Sequence, residues 1–544
     1  ADVEGCAVCE IYGMRNGGVL EQKAADIIRE MTGLPVVCAS ELFSGLSSLE
    51  RAASAVLNAG LLPITQDFIH AVRRAFEERG IHAEILIVRS DSSLMGLAYS
   101  AEHAVETLLS GPAASALGGS ALTGRENAVV VDIGGTTTDV ALIENSAPLL
   151  AEGGIRVGKW KTMVKGLFST SFALGGDSAI RWDKDGALTL GPDRVIPLCV
   201  LASQYPGILP VLRSQVREVP GHTLPLHEFL TLGRADWQRL PLEEPERRLC
   251  RALEKGPLSF LQAADVVGVD KYQFRSGLLE KAGVILRAGL TPTDIMHVRG
   301  DYTRYEREAA QLGVQFAAGS LHMLPEDFCA RIYDEVSREV FYAVAQILLE
   351  HSSPYFRRHG LDDGMRELLR LQWDNRLTGG DALLHYAFHA PAALIGIGGP
   401  VHLFLPEAAK ALGAECIIPD CAPTANAVGA VTGRMSATAG AEVRPHGLSP
   451  DDSEQGDWEV LCDGQPPRFF RSEDEAAAWA EGRLRERTEK SLRAQGATGE
   501  LSFTIDRSDM TADILLGGVK LCTRIRVTAS TCLMQTAIKE NRHV

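Results

Sequence analysis

At 544 residues, 45% hydrophobic and 23% charged, the chain is too long for one hydrophobic core and too apolar to be disordered, which predicts two to four domains. A net charge of -16 spread along the sequence argues against non-specific nucleic-acid binding, and no apolar run of about 18 residues is present to cross a bilayer. Eleven cysteines, scattered and odd in number, fit reduced thiols in a cytoplasmic protein better than a disulfide scaffold.

The chain starts abruptly. Cys6 to Tyr12 reads as a buried strand, whose CxxC (Cys6, Cys9) lacks a second pair to complete a zinc site. Val19 to Met31 then reads as an amphipathic helix. So little precedes these elements that the chain is expected to begin inside a domain. Leu34 to Ala39 and Ala83 to Val88 read as strands, and Leu49 to Asn58 and Ile64 to Arg79 as two helices. This alternation predicts an α/β architecture. Ala128 to Ile133 and Val140 to Ile143 form a hairpin around a Gly/Thr turn.

From 192 to 325 the pattern turns mostly helical, with Pro-containing joints at Pro206 to Pro210 and Pro220 to Pro225, and predicts an insertion. Within it, helices at Pro245 to Leu253, Ser259 to Val267 and Asp270 to Ala282, followed by a wing strand at Val284 to Leu286, resemble a winged helix over 245–290. The candidate recognition helix, Asp270 to Gly277, carries too little positive charge to predict DNA reading. A long helix from Glu326 to His351 returns to α/β sequence: strand Ala392 to Gly396, helix Val401 to Leu412, strand Cys416 to Ile418 and helix Thr424 to Met435. A Pro/Asp/Ser-rich joint, Arg444 to Asp452, opens a small C-terminal α/β domain with a helix from Asp474 to Gln495. The expected division is 1–191, 192–325, 326–445 and 446–544, with the first and third segments forming one core.

The sharpest chemical signal is Val129 to Ile143, VVVDIGGTTTDVALI. Gly134 and Gly135 let backbone N–H groups approach phosphate oxygens with no Cβ in the way, and Thr136, Thr137 and Thr138 add hydroxyl donors. Asp132 and Asp139 are the candidate catalytic carboxylates and ligands for Mg2+ or Mn2+, since Mg2+ keeps several waters and uses one or two carboxylates. Two more glycine clusters suit the other walls of a nucleotide cleft. One is Gly175, Gly176 and Asp177, with Asp177 as a metal-water or ribose contact. The other is Gly396, Gly398, Gly399 and His402, where a strand opens into a helix N-terminus. GxxxxGK[ST] is absent, as is a GxGxxG after an N-terminal strand, so P-loop and Rossmann readings fall away.

These motifs resemble the hydantoinase/oxoprolinase family. The resemblance is carried by Leu49 to Ala59, Val105 to Ala114 with its SGPAA, the Asp132 hairpin, Leu174 to Ser178 and Gly396 to His402. It implies a ribonuclease H-like, actin-type ATPase core, with ATP phosphates and metal at the Asp132 loop and adenosine at Gly398 and Gly399. It also implies that an N-terminal segment with a second phosphate loop is missing from this chain. Val164 to Ser171 lacks the Asp and His associated with amide-hydrolysing members, which implies a divergent subgroup. The implied activity is ATP-dependent phosphoryl activation of a cyclic amide or carbonyl compound, with a partner subunit or separate N-terminal segment in a homo- or hetero-oligomer. The alternative is a nucleotide-dependent regulatory protein with an Hsp70-like core.

Overall fold

The computed structural model describes residues 3–11, 13, 17–43, 45, 47–218, 224–378, 384, 386–446, 457–462, 466–514 and 517–532. The chain divides into two compact units. One gathers 1–127, 141–169 and 424–544, the other 128–140 and 170–423. Both are mixed α/β.

The second unit carries all three glycine clusters. Strand β1 (Ala128–Ile133) pairs in parallel with β7 (Ala393–Ile397), and β7 with β8 (Cys416–Ile417). Strand β2 (Thr138–Glu144), of which the first three residues belong to this unit, follows β1 after a four-residue loop. Parallel strands covered on both faces read as continuous apolar runs, and β7, Ala-Leu-Ile-Gly-Ile, is buried at every position. Helix α4 (Val401–Ala411) buries Val401, Phe404, Leu405, Ala408 and Ala409, one stripe at helical spacing. It packs on α3 (Pro325–Ser352), whose interior face includes Phe328, Ile332, Val336, Val340 and Phe341.

The same unit holds the hairpin of β3 (Ser178–Trp182) and β4 (Leu188–Arg194). It also holds a small sheet in which β6 (Ile285–Gly289) lies between Ile196–Pro197 and β5 (Phe229–Leu232), with Leu258–Ser259 at the edge. Two of the three expected winged-helix helices form, Glu244–Leu253 and Phe260–Val267, each opened by a capping box. The candidate recognition helix does not. The Asp270 carboxylate accepts the Tyr272 N–H at 2.9 Å and its carbonyl those of Gln273 and Phe274, making a side-chain-closed turn that competes with helix. Only Gly277–Lys281 is helical there.

In the first unit, Cys6–Val8 pairs in parallel with Val36–Cys38. It is only three residues long and half-buried, shorter than the Cys6 to Tyr12 strand expected, and Tyr12 lies outside the described residues. The two helices expected over 49–79 are one, Ser48–Glu78, running through Pro63. Helix Ser110–Thr123 crosses Ala425–Thr432. A five-stranded antiparallel sheet runs in the order Arg468–Phe470, Trp458–Cys462, Arg434–Pro445, Gly517–Cys532, Ser502–Ile514, and helix Glu473–Ala494 covers one of its faces. Arg434–Pro445 is thus a central strand of this sheet, so the helix expected to reach Met435 ends at Thr432. Residues 220–223 and 447–452 of the expected joints lie outside the described residues.

Candidate functional site

Alternation along β1 buries Val131 and Ile133 and leaves Asp132 half-accessible at the strand's C-terminal end. The loop then turns tightly: the Gly134 N–H donates to the Thr137 carbonyl at 2.9 Å. The Thr137 hydroxyl donates to Asp139 Oδ2 at 3.1 Å, which orients that carboxylate at the start of β2. Thr138 has a different role from the one its sequence position suggested. Its side chain is fully buried, and its hydroxyl donates to the Leu174 carbonyl at 2.8 Å, so it ties two loops together.

The second glycine cluster lies directly on the first. Gly176 N–H donates to the Gly134 carbonyl at 3.2 Å and Asp177 N–H to the Gly135 carbonyl at 2.6 Å. The N-terminus of helix α2 (Pro292–Arg299) supports this turn, because the Thr293 N–H and hydroxyl both donate to the Gly176 carbonyl, at 3.0 and 2.8 Å. Burial raises the Asp177 pKa, and Arg194 opposes the shift.

The third cluster meets the first through the sheet, where Ile397 stands opposite Asp132 in the β1–β7 ladder. Gly398 turns the chain at φ 91° and donates its N–H to the Ala422 carbonyl at 2.9 Å. His402, exposed in the first turn of α4, hydrogen-bonds through Nδ1 to the Gly399 carbonyl at 3.1 Å.

The glycines sort into two kinds by what a Cβ would meet. On Gly398 it would strike the Ile133 carbonyl oxygen and come within 2.8 Å of Asp132 Oδ1. On Gly175 it would lie 2.7 Å from the Gly135 carbonyl carbon and oxygen, on Gly176 2.7 Å from Thr293 Oγ1, and on Gly396 2.7 Å from the side chains of Val401 and Leu405. These four are bare because the protein packs against itself there. Gly134, Gly135 and Gly399 have no such reason. None has a positive φ, a Cβ on Gly399 would meet nothing within 4 Å, and on Gly134 or Gly135 only atoms at 3.4 Å or beyond. Bare backbone with no internal cause is what close approach of a ligand requires, so these residues fit a phosphate-bearing group.

Among the described residues no group of three or more His, Cys, Asp or Glu could hold a metal ion by itself. Asp132 and Asp139 at the two ends of the loop are oxygen donors that suit Mg2+, an ion that keeps several waters and uses one or two carboxylates plus substrate phosphates. Mn2+ accepts the same ligands.

Sequence reasoning missed Thr291-Pro-Thr-Asp294, although Thr, Pro and Asp at that spacing are a helix-start signature. Asp294 is fully buried and accepts the Thr291 N–H and hydroxyl, both at 2.9 Å, together with the N–H groups of Leu198 and Cys199 at 3.2 and 2.8 Å. One carboxylate thereby caps both α2 and helix α1 (Leu198–Gln204) and fixes the support under Gly176.

Comparison with known proteins agrees with the resemblance read from the sequence. Residues 51–196 match the family model described as hydantoinase/oxoprolinase. The caprolactamase subunit alpha of Pseudomonas jessenii is 26% identical over 194 residues, 35% of this chain and 28% of that one. The acetophenone carboxylase gamma subunit of Aromatoleum aromaticum is 29% identical over 182 residues, 32% of this chain and 25% of that one. The matched stretches therefore span less than a third of these relatives. The solved nucleotide-free structure of acetone carboxylase superposes with a TM-score of 0.57 at 14% identity, covering 98% of this chain and 65% of the other, a likeness of fold.

Proposed function

We propose that this chain, related to the hydantoinase/oxoprolinase family through residues 51–196, is part of an ATP-dependent enzyme with an actin-type nucleotide-binding core. On this reading phosphoryl transfer activates the oxygen of a cyclic amide or a carbonyl compound. The observation that carries the reading is the set of three glycines, Gly134, Gly135 and Gly399, bare without internal cause around Asp132. The caprolactamase and carboxylases among its relatives act on a lactam and on ketones, which supplies the substrate class.

The residues divide the work as follows. The backbone of Gly134 to Thr137 receives the phosphates, and Asp132 and Asp139 hold the divalent ion and its waters. Thr137 fixes Asp139 by its hydrogen bond. Gly399 and the first turn of α4 line the adenosine side, with His402 at its rim. The ion, when bound, neutralises charge on the phosphates. Catalysis on such a site rests mainly on positioning and charge stabilisation, and the Thr138 and Asp294 ties keep these loops in register. A partner subunit in the assembly is part of the proposal, in keeping with relatives that are named as subunits.

The test is phosphate release from Mg·ATP by the purified chain, alone and with any protein that co-purifies, against a panel of small lactams, cyclic imides and ketones. Stimulation by one member, abolished in Asp132→Ala, is the expected result. ATP binding with no stimulation by any compound would favour a regulatory role over an enzymatic one.

A further inference from the structure

The first unit holds a cluster of charge that the nucleotide reading leaves unused. The hairpin Leu86–Val88 and Leu94–Gly96 closes through Arg89 to Ser93. Ser92 sits at φ 71°, a backbone conformation that few non-glycine residues adopt, and its buried hydroxyl has no hydrogen-bond partner among the described residues. Arg89 opens this turn. It pairs with Glu106 at 2.5 Å and Asp91 at 3.9 Å and donates to Ser93 Oγ at 3.2 Å and the Ser436 carbonyl at 3.5 Å. Glu106 is thereby committed, and Asp91 also accepts the Ser93 N–H at 3.0 Å and hydroxyl at 2.5 Å.

Two further cations stand nearby without such partners. Among the described residues the Lys165 ammonium hydrogen-bonds only the Thr438 carbonyl, at 3.5 Å. Arg526 lies opposite Gly440 on one neighbouring strand and Asp506 on the other. It makes no ion pair with Asp506 or with any other described carboxylate. Two residues along, the hydroxyls of Thr438 and Thr528 share a hydrogen bond at 3.0 Å. Both cations are exposed, and Gly440 leaves the place across from Arg526 free of a side chain. Lys165 stands within electrostatic reach of Asp91, Arg89 and Arg526. Like charges within such reach repel, and an intervening anion relieves that repulsion.

We propose that Lys165, Arg526, Thr438 and Thr528 form a binding site for a small oxyanion, a carboxylate or a phosphate group, with Arg89 and the Ser92 turn as its floor. Both cations supply charge, Arg526 adds a planar fork of N–H donors, and the threonines supply hydroxyl donors from one sheet face. The site belongs to the first unit and does not depend on the nucleotide reading.

The test measures thermal unfolding of the full chain in inorganic phosphate or in acetate, at ionic strength held constant with chloride. The midpoint is expected to rise with one or both anions, to keep rising in Gly135→Val, and to stay flat in the Lys165→Gln/Arg526→Gln double variant. A response to phosphate alone assigns a phosphate group, and a response to acetate alone assigns a carboxylate. A second readout needs no variant: acetylation of Lys165, followed by mass spectrometry, should slow about tenfold at an anion concentration of ten times the dissociation constant. No shift in the unsubstituted chain with either anion, an undiminished shift in the double variant, or no protection of Lys165 overturns the proposal.

Discussion

Gly398 and Gly399 are neighbours that lack a side chain for opposite reasons. A Cβ on Gly398 would collide with the Ile133 carbonyl at a φ of 91°, while on Gly399 it would enter open space. Gly398→Ala is therefore expected to lower the stability of the unit by about 1–3 kcal/mol in denaturant melts. Gly399→Ala should melt within about 0.5 kcal/mol of the parent while weakening nucleotide binding. The reverse pattern would refute the sorting of these glycines. The sequence shows the string Gly-Ile-Gly-Gly but cannot separate its members, because the collision is with a strand more than 260 positions away. The same limit applies to Thr138, whose burial against Leu174 is a tertiary fact.

His227 supplies a prediction about pH. Its ring is 1% exposed, stacked on Trp182 at 5.4 Å and against Phe316 at 5.1 Å, and neither nitrogen has a hydrogen-bond partner among the described residues. Burial, and secondarily the Arg181 charge, push its pKa down from 6.5 to about 3. The folded state thus keeps a neutral ring that the unfolded chain would protonate. Its contribution is intact above pH 6.5 and is lost as pH falls from there towards 3, by about 1.4 kcal/mol per unit. The difference in unfolding free energy between the parent and His227→Phe should change with that slope between pH 6 and 4. A difference independent of pH would contradict the burial of an unpaired ring.

Among elements, Ser110–Thr123 crosses Ala425–Thr432 at close range. A Cβ on Gly118 would strike the Ala425 carbonyl, and one on Gly429 the Ala114 carbonyl. Two helices approach this closely only where both lack side chains at the crossing point, so Gly118→Val is expected to cost about 1–3 kcal/mol or more. It should also speed hydrogen exchange in both helices together, and parent-like stability would contradict the crossing. The elements with strong apolar periodicity, such as β1, β7, α4 and the helix from Val19, were legible in the sequence nearly to the residue. The failures have local causes. Separate helices are expected on either side of Pro63, yet Ala55, Ala59, Leu62 and Ile69 are all buried, and their packing carries one helix through it. Asp270 reads as a helix start, but its carboxylate closes a turn instead.

For the whole molecule, the sequence located the Asp132 loop and both partner glycine clusters, and the structure brings the three together within the second unit. It did not reveal that the chain passes back and forth between two units, because one crossing, 140/141, falls inside a single strand, β2. The four-part division from the sequence accordingly differs from the two units, with 446–544 grouped with 1–127. The central claim is that the second unit binds a nucleotide through bare backbone around Asp132. Calorimetric titration of Mg·ATP into the full chain and into Gly135→Val tests it most directly. We expect saturable one-site binding to the parent and at least about a hundredfold loss, roughly 2.7 kcal/mol, in a variant that still unfolds cooperatively. Equal affinity in the two proteins, or no binding to the parent, would contradict the claim.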